Sequence, residues 1–219
     1  MTTLFSREET IDLKSRNENG SRSIYHTLLY TVFQKPRENE NGGIVVAISS
    51  ANPREGVTYV SRALLYELGK CDFTSVAGVS VSFLRKLHEP TLEAIRKFVS
   101  VSGHAGEAGE TGLVDERLAI RERRGPWEGS WQYRRDCIDL LRSEFDYTVI
   151  DCPSLKESGD LLSVAPFVDG VLLVIEANRT RRDEPRQAEQ SITAAGGTML
   201  GYILNKRANE IPDWLDRKL

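Results

Sequence analysis

The chain has 219 residues, 40% of them hydrophobic and 28% charged, and a net charge of -3, which is the make-up of a soluble globular domain with a full core. That balance gives no sign of a nucleic-acid partner, which would need a local basic patch. Cys71, Cys137 and Cys152 show no C-x-x-C spacing and His26, His88 and His104 are far apart, so neither a disulfide framework nor a zinc site is expected. No apolar run approaches the length of a membrane span and the N-terminus lacks a signal-peptide core, so the expectation is a cytoplasmic protein without direct membrane insertion.

Residues 1–22 are polar, with Asn, Gly and Ser crowding Asn17 to Ser21, and read as a mobile arm; residues 23–219 read as one domain. Ile24 to Phe33 is densely apolar with Ile24, Leu28 and Val32 at helical spacing. A buried strand follows at Ile44 to Ile48, then a loop from Ser49 to Gly56 and a helix from about Thr58. Thr74 to Val79 is a second core strand, and Ser82 to Ser100 one or two helical pieces broken near Pro90. Val101 to Ser130, rich in Gly, Glu and Arg, reads as a loop. Trp131 to Glu144 is an amphipathic helix leading into the strand Tyr147 to Asp151, and Gly170 to Glu176 is a continuous apolar strand. Thr180 to Ala195 is a helix, with Thr180 and Asp183 spaced as a capping box and Pro185 tolerable only in the first turn. Thr198 to Leu204 is the last core strand, and Ile211, Trp214, Leu215 and Leu219 form a short apolar stripe that packs on the body. Strands alternating with helices predict an α/β protein with a doubly wound, mostly parallel sheet and any ligand beyond the strands' C-terminal ends.

Ile44 to Leu65 (IVVAISSANPREGVTYVSRALL) carries the chemistry. Strand, small-residue loop and helix is the setting in which backbone N–H groups and a helix N-terminus wrap phosphate oxygens. Laid on G-x-x-x-x-G-K-[ST], the register is Ala51, then Asn52 to Glu55, then Gly56, Val57 and Thr58. The glycine before the helix and a hydroxyl suited to Mg²⁺ are present, whereas Val57 stands at the lysine position. A charged hydrogen bond to phosphate contributes roughly 1.5–3 kcal/mol. Arg54 either returns a positive charge to the loop or blocks the backbone's approach. The plainer alternative is a strand-loop-helix turn that binds no phosphate.

With these residues in hand, the chain resembles the kinase-like proteins of bacterial capsule and exopolysaccharide export, the CpsD/CapB-like bacterial tyrosine kinases, a branch of the ParA/MinD P-loop ATPases. The likeness spans roughly Ser23 to Arg207 and is most specific in FDYTVIDCPS, SVAPFVDGVLLVIEANRTRRDE and GGTMLGYILNKR, while SSANPREGVTYVSRAL is similar to that family's SSxxPGEGKS loop. The resemblance implies a P-loop NTPase fold, Asp151 as the second acidic motif, Thr58 and Asp151 as the Mg²⁺ side, Gly56 as the loop glycine and Asn205 near the nucleotide base. Read without it, Asp151 caps a turn, Asn205 is a simple turn residue and Cys152 is buried and inert.

The departures are as informative as the matches. Val57 replaces the phosphate lysine and Arg54 a loop glycine. Val76 to Ser80 lacks the D-x-D that the family carries at the end of its second strand, with Gly78 and Ser80 in place of the acids. The arginines of an E-x-x-R-x-x-R assembly helix are missing near Ser23 to Leu29, and Tyr202 is the last tyrosine. The expectation is therefore a catalytically degenerate relative that holds Mg²⁺-ATP or ADP weakly or no cofactor at all. Its expected partners are a membrane chain-length regulator or an active kinase homologue, and alone it is a monomer or dimer. The alternatives are a divergent active ATPase or protein-tyrosine kinase of the same pathway, and an adaptor that binds no nucleotide.

Overall fold

The computed structural model describes residues 11–12, 42–69, 75–85, 100–102 and 130–206. Its centre is β2, Ile44–Ser50, every residue of which is buried. A strand covered on both faces has no polar side, which is why IVVAISS reads as an unbroken apolar and small-residue run. It is flanked in parallel by β5 (Tyr147–Asp151) and β6 (Gly170–Glu176). With β1 (Ile11–Asp12), β3 (Val76–Ser80), β4 (Ser100–Ser102) and β7 (Met199–Asn205), the sheet runs β1-β7-β6-β2-β5-β3-β4. All pairings are parallel except β3 with β4.

The period-two alternation of the strands divides the core between two faces. Ile44, Val46 and Ile48 of β2 pack with Val149, Leu172 and Val174 beneath α1 (Val57–Leu68), which contributes Val60, Leu64, Leu65 and Leu68. Val45 and Ala47 point the other way, to Ile138 and Leu141 of α3 (Trp131–Glu144), Leu161 and Val164 of α4 (Asp160–Val164), and Ala188 and Ile192 of α5 (Asp183–Ala194). The short α2 (Val81–Leu84) follows β3 directly. Helices on both faces of a largely parallel sheet give the doubly wound architecture expected, and the crossover between β2's neighbours puts a crevice at its C-terminal end.

Several boundaries move for local reasons. β2 continues through Ser50, because its ladder with β6 runs to Ser50↔Val174. β3 begins at Val76 and ends at Ser80, not Thr74 to Val79. Ser100–Ser102, expected within a helix and loop, is an edge strand on β3. The helix expected from Thr180 starts at Asp183, and the capping box does not form. Thr180 Oγ1 instead accepts from the Glu176 N–H at 3.1 Å and donates to the Glu55 carboxylate. Pro185 is the third helical residue, inside the first turn as its missing N–H requires. In the stretch read as an arm, Ile11–Asp12 pair with Ile203 and Leu204. The helix at Ile24 to Phe33 and the stripe from Ile211 to Leu219 lie outside the described residues.

Candidate functional site

The site is assembled where β2, β5, β6 and β7 end. After Ser50 the chain turns through a tight loop: Ser50 Oγ donates to the Asn52 carbonyl at 2.7 Å, and Ser49 Oγ ties the loop's base to the Pro153 carbonyl at 2.7 Å. Arg54 has φ 66° and Gly56 φ 100°, both left-handed. Arg54 adopts there a conformation that favours glycine, at a strain of order 1 kcal/mol. At Gly56 the requirement is doubled, since a Cβ would also lie 2.1 Å from Asn205 Nδ2.

The loop's polarity follows from its hydrogen bonds. Gly56, Val57 and Thr58 open α1, whose first-turn N–H groups have no intrahelical acceptor, while Glu55 closes the hydrogen-bonded turn through Pro53 and Arg54. α1 has no side-chain N-cap and no acid in its first turn, so its positive end is left uncompensated. Amides at an uncapped helix N-terminus are the donor set that phosphate oxygens take. The residues present therefore fit a phosphate group without the lysine. Val57, at the lysine position, is partly buried and packs against the core under α1. Thr58 is half-buried on the same turn, and Ala51 is buried at the loop's start.

Asp151 is buried and stands at the end of β5, in register with Ile48 of β2 and Ser80 of β3. It thus lies beside the strand that feeds the loop. Among the described residues no cluster of three or more His, Cys, Asp or Glu side chains gathers as a metal centre. Burial, then the charges of Asp151 and Asp160, push the Cys152 thiol well above its ordinary range, so it is an inert thiol.

The positions assigned to the second-strand acids separate. Gly78 is buried in mid-strand, and a Cβ there would come 2.3 Å from Leu65 Cδ1, so a side chain at this position requires Leu65 to shift. Only Ser80 lies at the site's edge. Its Oγ accepts from the Ser82 N–H at 3.3 Å as the N-cap of α2. Beyond it, Arg85 and the buried Asp160 form an ion pair at 2.8 Å that ties the end of β3 to α4.

Asn205 is buried at the end of β7. Its Nδ2 donates to the Glu55 carbonyl at 2.9 Å, so it meets the loop that follows β2. Sequence reasoning passed over the acids and lysines around it. Glu55 is fully buried, and its carboxylate accepts from the Asn52 N–H and Nδ2, each at 3.1 Å, and from Thr180 Oγ1. Asn52 Nδ2 also donates to Glu184 at 2.9 Å, and Lys156 Nζ donates to Asn52 Oδ1 and, at 2.7 Å, to Glu184. Hydrogen bonds from Lys156, Asn52 and the Arg181 N–H hold the Glu184 carboxyl down at about 2. The network joins residues more than a hundred positions apart, and the sole local signal is an acid inside the loop.

No family model matches the chain. Across 96% of its length it is 22% identical to the tyrosine-protein kinase CpsD of Streptococcus agalactiae, covering 93% of that protein. It is 30% identical over 190 residues to the succinoglycan biosynthesis transport protein ExoP of Rhizobium meliloti, spanning 78% of this chain and 23% of ExoP. Its fold matches the kinase domain of the Escherichia coli tyrosine kinase ETK with a TM-score of 0.54 at 19% identity, covering 89% of this chain and 77% of that one. By sequence and by fold, the chain is a relative of the CpsD/CapB bacterial tyrosine kinases, built on the ParA/MinD-like P-loop fold.

Proposed function

We propose that this chain is a catalytically degenerate, tyrosine-kinase-like P-loop protein that acts as a regulatory partner in bacterial capsule or exopolysaccharide biosynthesis or export. One observation carries the reading: a loop that runs into an uncapped helix N-terminus is combined with side chains that do not suit phosphoryl transfer. Val57 packs into the core where a lysine would meet phosphate, and Ser80 caps its own helix where the resemblance places an acid. Phosphoryl transfer depends almost wholly on positioning and charge stabilisation. Amides, Thr58 and Asp151 support weak Mg²⁺-ATP or ADP binding without turnover. The natural partner is a membrane chain-length regulator or an active kinase homologue, which recruits this cytoplasmic protein to the inner face of the membrane. Alone it is a monomer or dimer. Calorimetry with Mg²⁺-ADP, beside light scattering, tests the reading: weak binding by a small species is expected, and a stable octamer with micromolar affinity contradicts it.

A second reading, a divergent active ATPase or protein-tyrosine kinase, draws on the ammonium groups of Lys156 and Lys206, which are hydrogen-bonded to loop atoms Asn52 Oδ1 and Arg54 O. It requires hydrolysis that Asp151→Asn abolishes. An adaptor that never meets nucleotide instead predicts no thermal shift with ADP or ATP.

A further inference from the structure

We propose that Asn205 and Lys206, at the end of β7, are positioning residues that aim the backbone amides of the 54–58 loop. For its nucleotide-binding consequence, the proposal rests on the phosphate-cradle reading above. Asn205 Nδ2 donates to the Glu55 carbonyl at 2.9 Å, and Lys206 Nζ donates to the Arg54 carbonyl at 2.5 Å. Two consecutive loop carbonyls are thereby held by one strand end. In a planar trans peptide the carbonyl and the following N–H point in opposite directions. Fixing the Arg54 and Glu55 carbonyls against β7 therefore turns the Glu55 and Gly56 N–H groups away from β7.

The clamp is itself built. The Lys206 N–H donates to Asn205 Oδ1 at 2.9 Å, which sets the amide so that its Nδ2 faces the loop. Glu176, paired with Asn205 across β6 and β7, accepts from Lys206 Nζ at 3.0 Å and from Arg179 at 2.9 Å, and so orients the lysine. Arg54 and Lys206 are both non-glycine residues in the left-handed region, with φ 66° and 58°, and they are hydrogen-bonded to each other. Strain of this kind persists where surrounding contacts over-determine it, and it collects at functional sites. At Gly56 the fit leaves no space for a side chain, since Asn205 Nδ2 would lie 2.1 Å from a Cβ. The clamp thus substitutes for the ordering that a phosphate-bound lysine gives the loop from the other side.

The test has one arm without nucleotide and one with it. In the unliganded full chain, backbone ¹⁵N order parameters for Arg54 to Val57 should match rigid backbone, about 0.85, and fall below about 0.6 in Lys206→Met and Asn205→Asp. Lys206→Arg, which keeps a donor, should restore them. In a Val57→Lys background that supplies the missing charge, Mg²⁺-ADP affinity should fall about tenfold on adding Lys206→Met and recover with Lys206→Arg. Unchanged order parameters in both variants overturn the proposal, as does a loosened loop with unchanged ADP affinity. If Val57→Lys binds no ADP, the phosphate-cradle reading fails, and the order parameters alone decide whether the clamp exists.

Discussion

Ser80, the last residue of β3, lies in register with Asp151, the last residue of the adjacent parallel strand β5. Two strand ends at one level thus offer a single carboxylate, and the serine's oxygen is committed to α2. Ser80→Asp should fold, because the position is only partly buried and an aspartate caps a helix as well as a serine. Gly78→Asp should be clearly less stable, because it buries a carboxylate against Leu65. Thermal unfolding of the two variants checks the contrast, and an equally stable Gly78→Asp would contradict the packing described for β3.

Val57→Lys combined with Arg54→Gly should raise ATP affinity by roughly ten- to a hundredfold, the 1.5–3 kcal/mol of a charged phosphate contact. Arg54→Gly alone should stabilise the fold by about 0.5–1 kcal/mol, since it removes a left-handed non-glycine residue. Calorimetric titration and urea unfolding measure the two effects. A double variant that folds yet binds no nucleotide would show that the loop is no phosphate cradle.

The Arg85–Asp160 ion pair is largely buried, with side-chain exposures of 18% and 8%. Removing one partner leaves the other charge stranded, so Arg85→Ala should cost about 2–4 kcal/mol. A double-mutant cycle with Asp160→Asn should give a total well below the sum of the single changes. Strict additivity would mean that the pair does not tie β3 to α4.

Glu184 provides a pH dependence with a definite sign. Its folded carboxyl is held at about 2, below the unfolded value, so its stabilisation is present above about pH 4.5. That contribution is lost as pH falls from about 4.5 towards 2. After allowance for solvent screening of the exposed Lys156 it is on the order of 1–2 kcal/mol. In Glu184→Gln the acid-induced loss of stability should be correspondingly shallower. An unchanged acid profile would exclude the Lys156–Glu184 link as a stabilising contact.

The fold was legible because its strands are apolar on both faces. Tyr147–Asp151 and Gly170–Glu176 stand where the hydrophobic runs placed them, and α3 where its period placed it. The turn from strand to helix was legible through Gly56, whose left-handed φ a glycine suits. Asn205's partner was not, because the Asn205–Glu55 contact spans 150 positions and depends on the sheet order. The capping box failed for a similar reason: Thr180 Oγ1 accepts from the Glu176 N–H and donates to the Glu55 carboxylate, and the second of these contacts spans 125 positions. That Leu65 fills the space beside Gly78 was not legible, because sequence spacing does not reveal a contact between α1 and β3.

The most direct test of catalytic degeneracy is steady-state hydrolysis of Mg²⁺-ATP by the purified full chain, measured beside Asp151→Asn. The account predicts the same background rate for both proteins. Turnover well above background in the natural chain, abolished by Asp151→Asn, would show that the site still transfers phosphoryl groups and would contradict it.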